Sequence, residues 1–269
     1  MSHFISSEQL KAQLGKVVLF DCRFNLMNKT LGSEQYRTGH IPGAYFLDLE
    51  KDLSSETDTH GGRHPLPDVE TLSQKLRAAG VNFHSTIVLY DDSRMAYAAR
   101  AWWLLRYYGH QDVLILDGGF AGWVNTSGAI DRREPAPKQG NFKAAVQQNW
   151  IANRDDILQA NPAFTLIDSR EAKRYRGEEE PIDPVAGHVP GALNYFWQDA
   201  VTEQGFIKPE EIQKQRWEDL PARDNLVVYC GSGVTACVNI LSLEISGISA
   251  KLYPGSWSDW CSYLEKSTD

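Results

Sequence analysis

Long hydrophobic runs are missing from this chain. The most apolar stretches, such as Val17–Phe20 and Val113–Leu116, fall far short of the roughly 18 residues that cross a bilayer. The N-terminal segment, Met1 to Gly15, lacks the basic-then-apolar order of a secretory signal. Positive charge is also in short supply: 27 Lys and Arg stand against 35 Asp and Glu, a net charge of −8. That balance argues against nucleic acid or an anionic membrane as a partner. Cysteine is scarce, at positions 22, 230, 237 and 261. No Cys-x-x-Cys pair occurs, which excludes zinc-ribbon and thioredoxin-type readings, and no metal is expected. Without an export signal, the expected location is the cytoplasm, where reducing conditions keep thiols free.

What is present is globular in character. The 269 residues include 8 Trp, 10 Phe and 11 Tyr, enough for two packed cores.

The chain then repeats itself. Leu19-Phe20-Asp21-Cys22-Arg23 matches Leu166-Ile167-Asp168-Ser169-Arg170, and Gly39-His40-Ile41-Pro42-Gly43-Ala44 matches Gly187-His188-Val189-Pro190-Gly191-Ala192. Ile87–Asp91 matches Leu226–Cys230, and Leu116–Trp123 echoes Tyr253–Trp260. The order is kept throughout, and a period of about 140 residues is too long for a solenoid, so the repeat reads as two tandem domains. The reading divides the chain into a first domain over 1–125, a linker over 126–149 carrying Pro135, Pro137 and Gly140, and a second domain over 150–269.

Within each half, short apolar runs alternate with helical patterns. Val17–Asp21, Ile87–Tyr90, Thr165–Asp168 and Leu226–Tyr229 read as buried strands. Val69–Ala79, Ala96–Tyr108 and Val234–Ser246 read as helices ended by Gly80, Gly109 and Gly247. The expected fold class is α/β, with two similar domains, each a mostly parallel sheet flanked by helices.

One place concentrates chemistry. The strand Leu226–Tyr229 opens into Cys230-Gly231-Ser232-Gly233-Val234-Thr235, and a helix follows with apolar residues at 234, 237, 238, 241 and 245 on one face. Cys230 therefore stands where a strand turns into a helix N-terminus. Gly231 and Gly233 let the loop curl so that main-chain N–H groups surround the sulfur, with the helix dipole behind them. Such a cradle favours a thiolate nucleophile, which must also be reachable. The matching residue in the first half is Asp91. Cys22, Cys237 and Cys261 read as small core hydrophobes.

A cysteine phosphatase needs an arginine six positions after its cysteine; here that residue is Ala236, and the loop holds no cation. Papain-like hydrolysis needs a histidine base, with only His64 or His188 available to approach in space.

The two-fold repeat, the paired Gly-His-[Ile/Val]-Pro-Gly-Ala and the single cysteine loop resemble the tandem-rhodanese sulfurtransferases, from about Ile5 to Tyr263. Asp91 is similar to the residue of that family's catalytically silent N-terminal domain. The Cys-Gly-Ser-Gly-Val-Thr loop resembles the mercaptopyruvate branch; the thiosulfate branch carries Arg and Lys where Gly231 and Ser232 stand. The resemblance implies a persulfide on Cys230, 3-mercaptopyruvate as donor, pyruvate as product, a thiol such as thioredoxin or else cyanide as acceptor, and no cofactor. A thiosulfate:cyanide sulfurtransferase and a persulfide carrier are the rival readings.

The same resemblance implies site residues: Arg174 for the donor carboxylate with Arg176 beside it, the loop residues Gly231, Gly233, Val234 and Thr235 around the substrate, and an Asp48–His64–Ser232 relay in which His60 competes with His64. It also implies a second arginine about nine residues past the first, but Glu180-Pro181-Ile182-Asp183-Pro184 offers none. His40 and His188 occur in both halves and read as structural.

Overall fold

The short apolar runs become the strands of two parallel sheets. The computed structural model describes residues 3–160 and 163–264. In the first sheet, β1 (Phe4–Ile5), β2 (Val18–Asp21), β3 (Ala44–Phe46), β4 (Ile87–Tyr90) and β5 (Val113–Leu116) lie in the order β1-β5-β4-β2-β3. In the second, β6 (Thr165–Asp168), β7 (Leu193–Asn194), β8 (Leu226–Tyr229) and β9 (Ala250–Leu252) lie in the order β7-β6-β8-β9. All ladders are parallel. The second sheet thus repeats the strand order of the first, and a parallel bridge from Ile151 to Leu252 takes the edge position that β1 holds there. Central strands β4 and β8 are buried along their whole length, as covering on both faces requires.

The repeated Asp-x-Arg has a packing role in both halves. Arg23 forks onto Asp21 and donates to the Gly39 carbonyl at 2.7 Å. Arg170 does the same with Asp168 and the Gly187 carbonyl, at 2.6 Å. Each ion pair therefore ties its sheet to the following Gly-His turn. Within those turns, His40 stacks on Tyr36 and His188 on Tyr175, each with Nδ1 against the same tyrosine's carbonyl oxygen. Both histidines are structural, as their presence in both halves suggested.

Helices form at Val69–Ala78, Ala96–Tyr107 and Ala236–Ile245. The last differs from the one-face pattern read in the sequence, because Ala236 through Leu243 are all buried. Its polar side is buried through hydrogen bonds: Asn239 donates to Ser169 Oγ and the Tyr195 carbonyl, and Ser242 donates to Gln213 and accepts from Trp217.

The compact units are not two contiguous stretches. One contains the chain as far as Ser55, with Pro67–Gln147 and Val201–Ile207; the other contains Glu56–Leu66, Gln148–Ala200 and the chain from Lys208 onward. Most of the expected linker packs in the first unit. Asp131 forms a two-bond antiparallel bridge with His40, the Trp123 indole donates to the Ala129 carbonyl, and the Ala145 amide donates to Tyr108. Proline and glycine here mark a fitted surface strand of chain, not a free spacer. Among the described residues, no helix is long and apolar enough to cross a membrane.

In the first unit, the Asp91 carboxylate fills the loop that follows β4. Oδ1 accepts from the amides of Ser93 and Met95, and Oδ2 from those of Tyr97 and Ala98, at 2.8–3.0 Å. Burial pushes this carboxyl up to about 6, and the amide donors pull the other way. Asp91→Ala strands four inward-facing N–H groups. We expect it to cost about 3 kcal/mol in a urea-unfolding series, since each orphaned buried donor costs about 1–3 kcal/mol and entering water recovers part of it.

Candidate active site

Cys230 follows β8 and is held through its main chain. Its N–H donates to Ser256 Oγ (3.2 Å) and its carbonyl accepts from Trp257 N–H (3.0 Å), while the Gly231 carbonyl accepts from Ser258 N–H (2.8 Å). The first unit has the same fastening, Phe120 N–H to the Asp91 carbonyl at 2.8 Å. The loops also share a left-handed residue, Arg94 with φ +56° and Gly233 with φ +74°. At Gly233 a Cβ would run into the Pro254 carbonyl, so only glycine fits.

Gly231 brings the backbone close to two side chains. A Cβ there would stand 3.0 Å from the Arg63 guanidinium and 3.7 Å from both terminal nitrogens of Arg174. Two cations therefore meet over a loop that carries none of its own. Arg63 is the residue that sequence reasoning missed. It arrives on Glu56–Leu66, part of the same compact unit as the loop. Burial lowers its pKa, and the charges of Cys230 and Glu180 act in the opposite direction. Its buried Nε has no hydrogen-bond partner, while its Nη1 is engaged by Asp183.

The missing second arginine has a counterpart of opposite sign. Asp183, nine residues past Arg174, binds Arg63 through Oδ1 and Arg174 through Oδ2 (3.1 Å). Arg174 also forks onto Glu180, which in turn meets Arg170. The result is an alternating row: Asp168, Arg170, Glu180, Arg174, Asp183, Arg63. The signal lay in the sequence as a charge reversal at the ninth position beside an unclaimed arginine next to His64.

His64 and Ser232 come together as expected, with Nδ1 2.7 Å from Oγ. The strap that brings His64 is pinned by Gly61 N–H to Asp259 (2.7 Å) and Arg63 N–H to Ser258 Oγ (3.1 Å). His60 is drawn elsewhere, stacked on Tyr263 and bonded to Ser262. Asp48 lies in the first unit, where Oδ1 accepts from Glu50 and Lys51 N–H and closes a turn.

Arg176 requires correction as a substrate contact. Residues 172–175 form a helical turn rather than an extended segment, and on a helix i and i+2 do not share a face. Arg176 is instead 51% exposed and forks onto Glu178. Val234 is buried within the loop, and Thr235 begins the helix as its N-cap.

Cys230 is only 2% exposed, against the expectation of an open sulfur. Arg63 and Arg174, with side chains 29% and 17% exposed, are the parts of the cluster that meet solvent. Cys22, Cys237 and Cys261 are buried free thiols. Burial pushes the thiols of Cys22 and Cys261 up, which makes them poor nucleophiles.

A cysteine at a strand-to-helix loop, two guanidiniums over it and a Ser–His pair beside it bring together the residue types that group transfer by a thiol uses. The Rhodanese-like domain model matches residues 6–126 and 151–263, and the chain belongs to the rhodanese family as a tandem-domain enzyme of the sulfurtransferase type. It is 43% identical, over 96% of its length and 95% of the relative's, to a Pseudomonas aeruginosa protein named "Probable 3-mercaptopyruvate sulfurtransferase". It is 37% identical to the 3-mercaptopyruvate sulfurtransferase of Escherichia coli, over 85% of this chain and 82% of that one. The solved 3-mercaptopyruvate sulfurtransferase from Leishmania major superposes with a TM-score of 0.89 at 28% identity, covering 98% of this chain and 75% of that one.

Proposed function

We propose that this enzyme takes the sulfur of 3-mercaptopyruvate onto Cys230 and passes it to a thiol, with thioredoxin or cyanide also serving as acceptor. The observation that carries this reading is the meeting of Arg63 and Arg174 over Gly231, next to the nucleophile. Paired guanidiniums suit a carboxylate, and a carboxylate bound there lies beside the sulfur.

The Cys230 thiolate attacks the donor sulfur. The S–S bond forms as the donor C–S bond breaks, and the electron pair leaves as the enolate of pyruvate. The enolate is quenched by a proton from the Ser232–His64 pair, whose 2.7 Å contact makes a relay of that length. An acceptor thiolate then attacks the outer sulfur and releases Cys230. N–H groups of the loop stabilise the sulfur anion, by analogy with those that hold the Asp91 carboxylate at the matching place. That carboxylate accounts for a silent first domain. A reducing cytoplasm suits an enzyme whose nucleophile is a free thiol.

Intact mass after incubation with 3-mercaptopyruvate tests the proposal. The expected product is one sulfur heavier and reverts on treatment with reductant or cyanide. A mass gain from thiosulfate alone would overturn the donor, and no gain from either would overturn sulfur transfer.

A further inference from the structure

We infer that Asp183 sets the charge of the donor: with one oxygen on Arg63 and the other on Arg174, it cancels one of the two cations over the Cys230 loop and so selects a monoanion over a dianion. This rests on the reading of that site as the donor-carboxylate site.

The geometry leaves Asp183 little other purpose. Its side chain is 1% exposed, and its main-chain N–H is held by Glu180 Oε1 at 3.1 Å, which turns the carboxylate toward both guanidiniums. A carboxylate buried this far is poorly screened by salt, so its charge is felt in full at the loop. Within the alternating row, three carboxylates balance three guanidiniums. The site therefore offers directional donors, including the orphaned Arg63 Nε, without an excess of positive charge. A single carboxylate can use those donors. Thiosulfate brings twice the negative charge to a row with no net positive charge, and the added charge faces the buried Asp183 carboxylate.

The test is the ratio of kcat/KM for thiosulfate to that for 3-mercaptopyruvate. Asp183→Asn keeps the size of the side chain and removes its charge, and we expect the ratio to rise about tenfold or more, the effect of one unit charge at short range. Asp183→Glu retains the charge and should keep the ratio near that of the wild type. If the wild type uses 3-mercaptopyruvate but Asp183→Asn leaves the ratio unchanged, the role of Asp183 is overturned. If the wild type uses neither donor, the site reading itself has failed.

A second measurement needs no variant. Methanesulfonate and sulfate have nearly the same shape and differ by one charge. As competitive inhibitors of the wild type, methanesulfonate should bind at least as tightly as sulfate; a clear preference for sulfate would overturn the inference even if Asp183→Asn fails to fold.

Discussion

Cys230→Ser is expected to lose sulfur transfer by about four orders of magnitude or more while keeping its fold. Removing the nucleophile of a covalent mechanism removes the intermediate itself, and losses of about 10⁴–10⁶ in kcat are usual. A serine hydroxyl stays protonated at neutral pH and has no sulfur chemistry to replace the persulfide. The loop should survive, because it is fastened by the Cys230 N–H and carbonyl rather than by its sulfur. Thiocyanate formation from cyanide measures the activity, and circular dichroism with the unfolding midpoint measures the fold. Substantial activity in Cys230→Ser, or sulfur retained on another cysteine, would remove Cys230 from the mechanism.

The second large effect belongs to Arg63. Arg63→Ala should lower kcat/KM for 3-mercaptopyruvate by roughly 10- to 150-fold, mostly through KM, because a charge-assisted hydrogen bond contributes about 1.5–3 kcal/mol. Two physical changes act together. The donor carboxylate loses one guanidinium, and Asp183 keeps only Arg174, so its buried charge repels the incoming anion. Arg176→Ala serves as the contrast: its pair with Glu178 is exposed on both sides, and KM should stay within about twofold. Equal KM values for Arg63→Ala and the wild type would move the carboxylate site away from Gly231.

The two arginines show where sequence reasoning reaches and where it stops. Arg174 was legible because its place is fixed by a motif a short distance away along the chain. Arg176 was misplaced because an extended segment was assumed where one helical turn forms, and that turn rotates residue i+2 off the shared face. His64 and Ser232, 168 residues apart in the chain, were paired in the sequence only through the family resemblance, and their contact is made by the folding of Glu56–Leu66 into the second unit.

The amino-acid sequence by itself determined the elements that depend on local pattern. Strands β4, β6 and β8 have the bounds that their apolar runs suggested. The tandem repeat and the strand-to-helix position of Cys230 follow from local pattern and periodicity in the same way, whereas the need for glycine at 233 comes from the Pro254 carbonyl packed against it. Tertiary structure alone decided the charge of the site. Arg63 and Asp183 stand 120 residues apart in the chain, and no spacing rule links them. They pair because Glu56–Leu66 folds into the second unit, and because a buried carboxylate at position 183 needs a cation that its own neighbourhood in sequence does not fully supply.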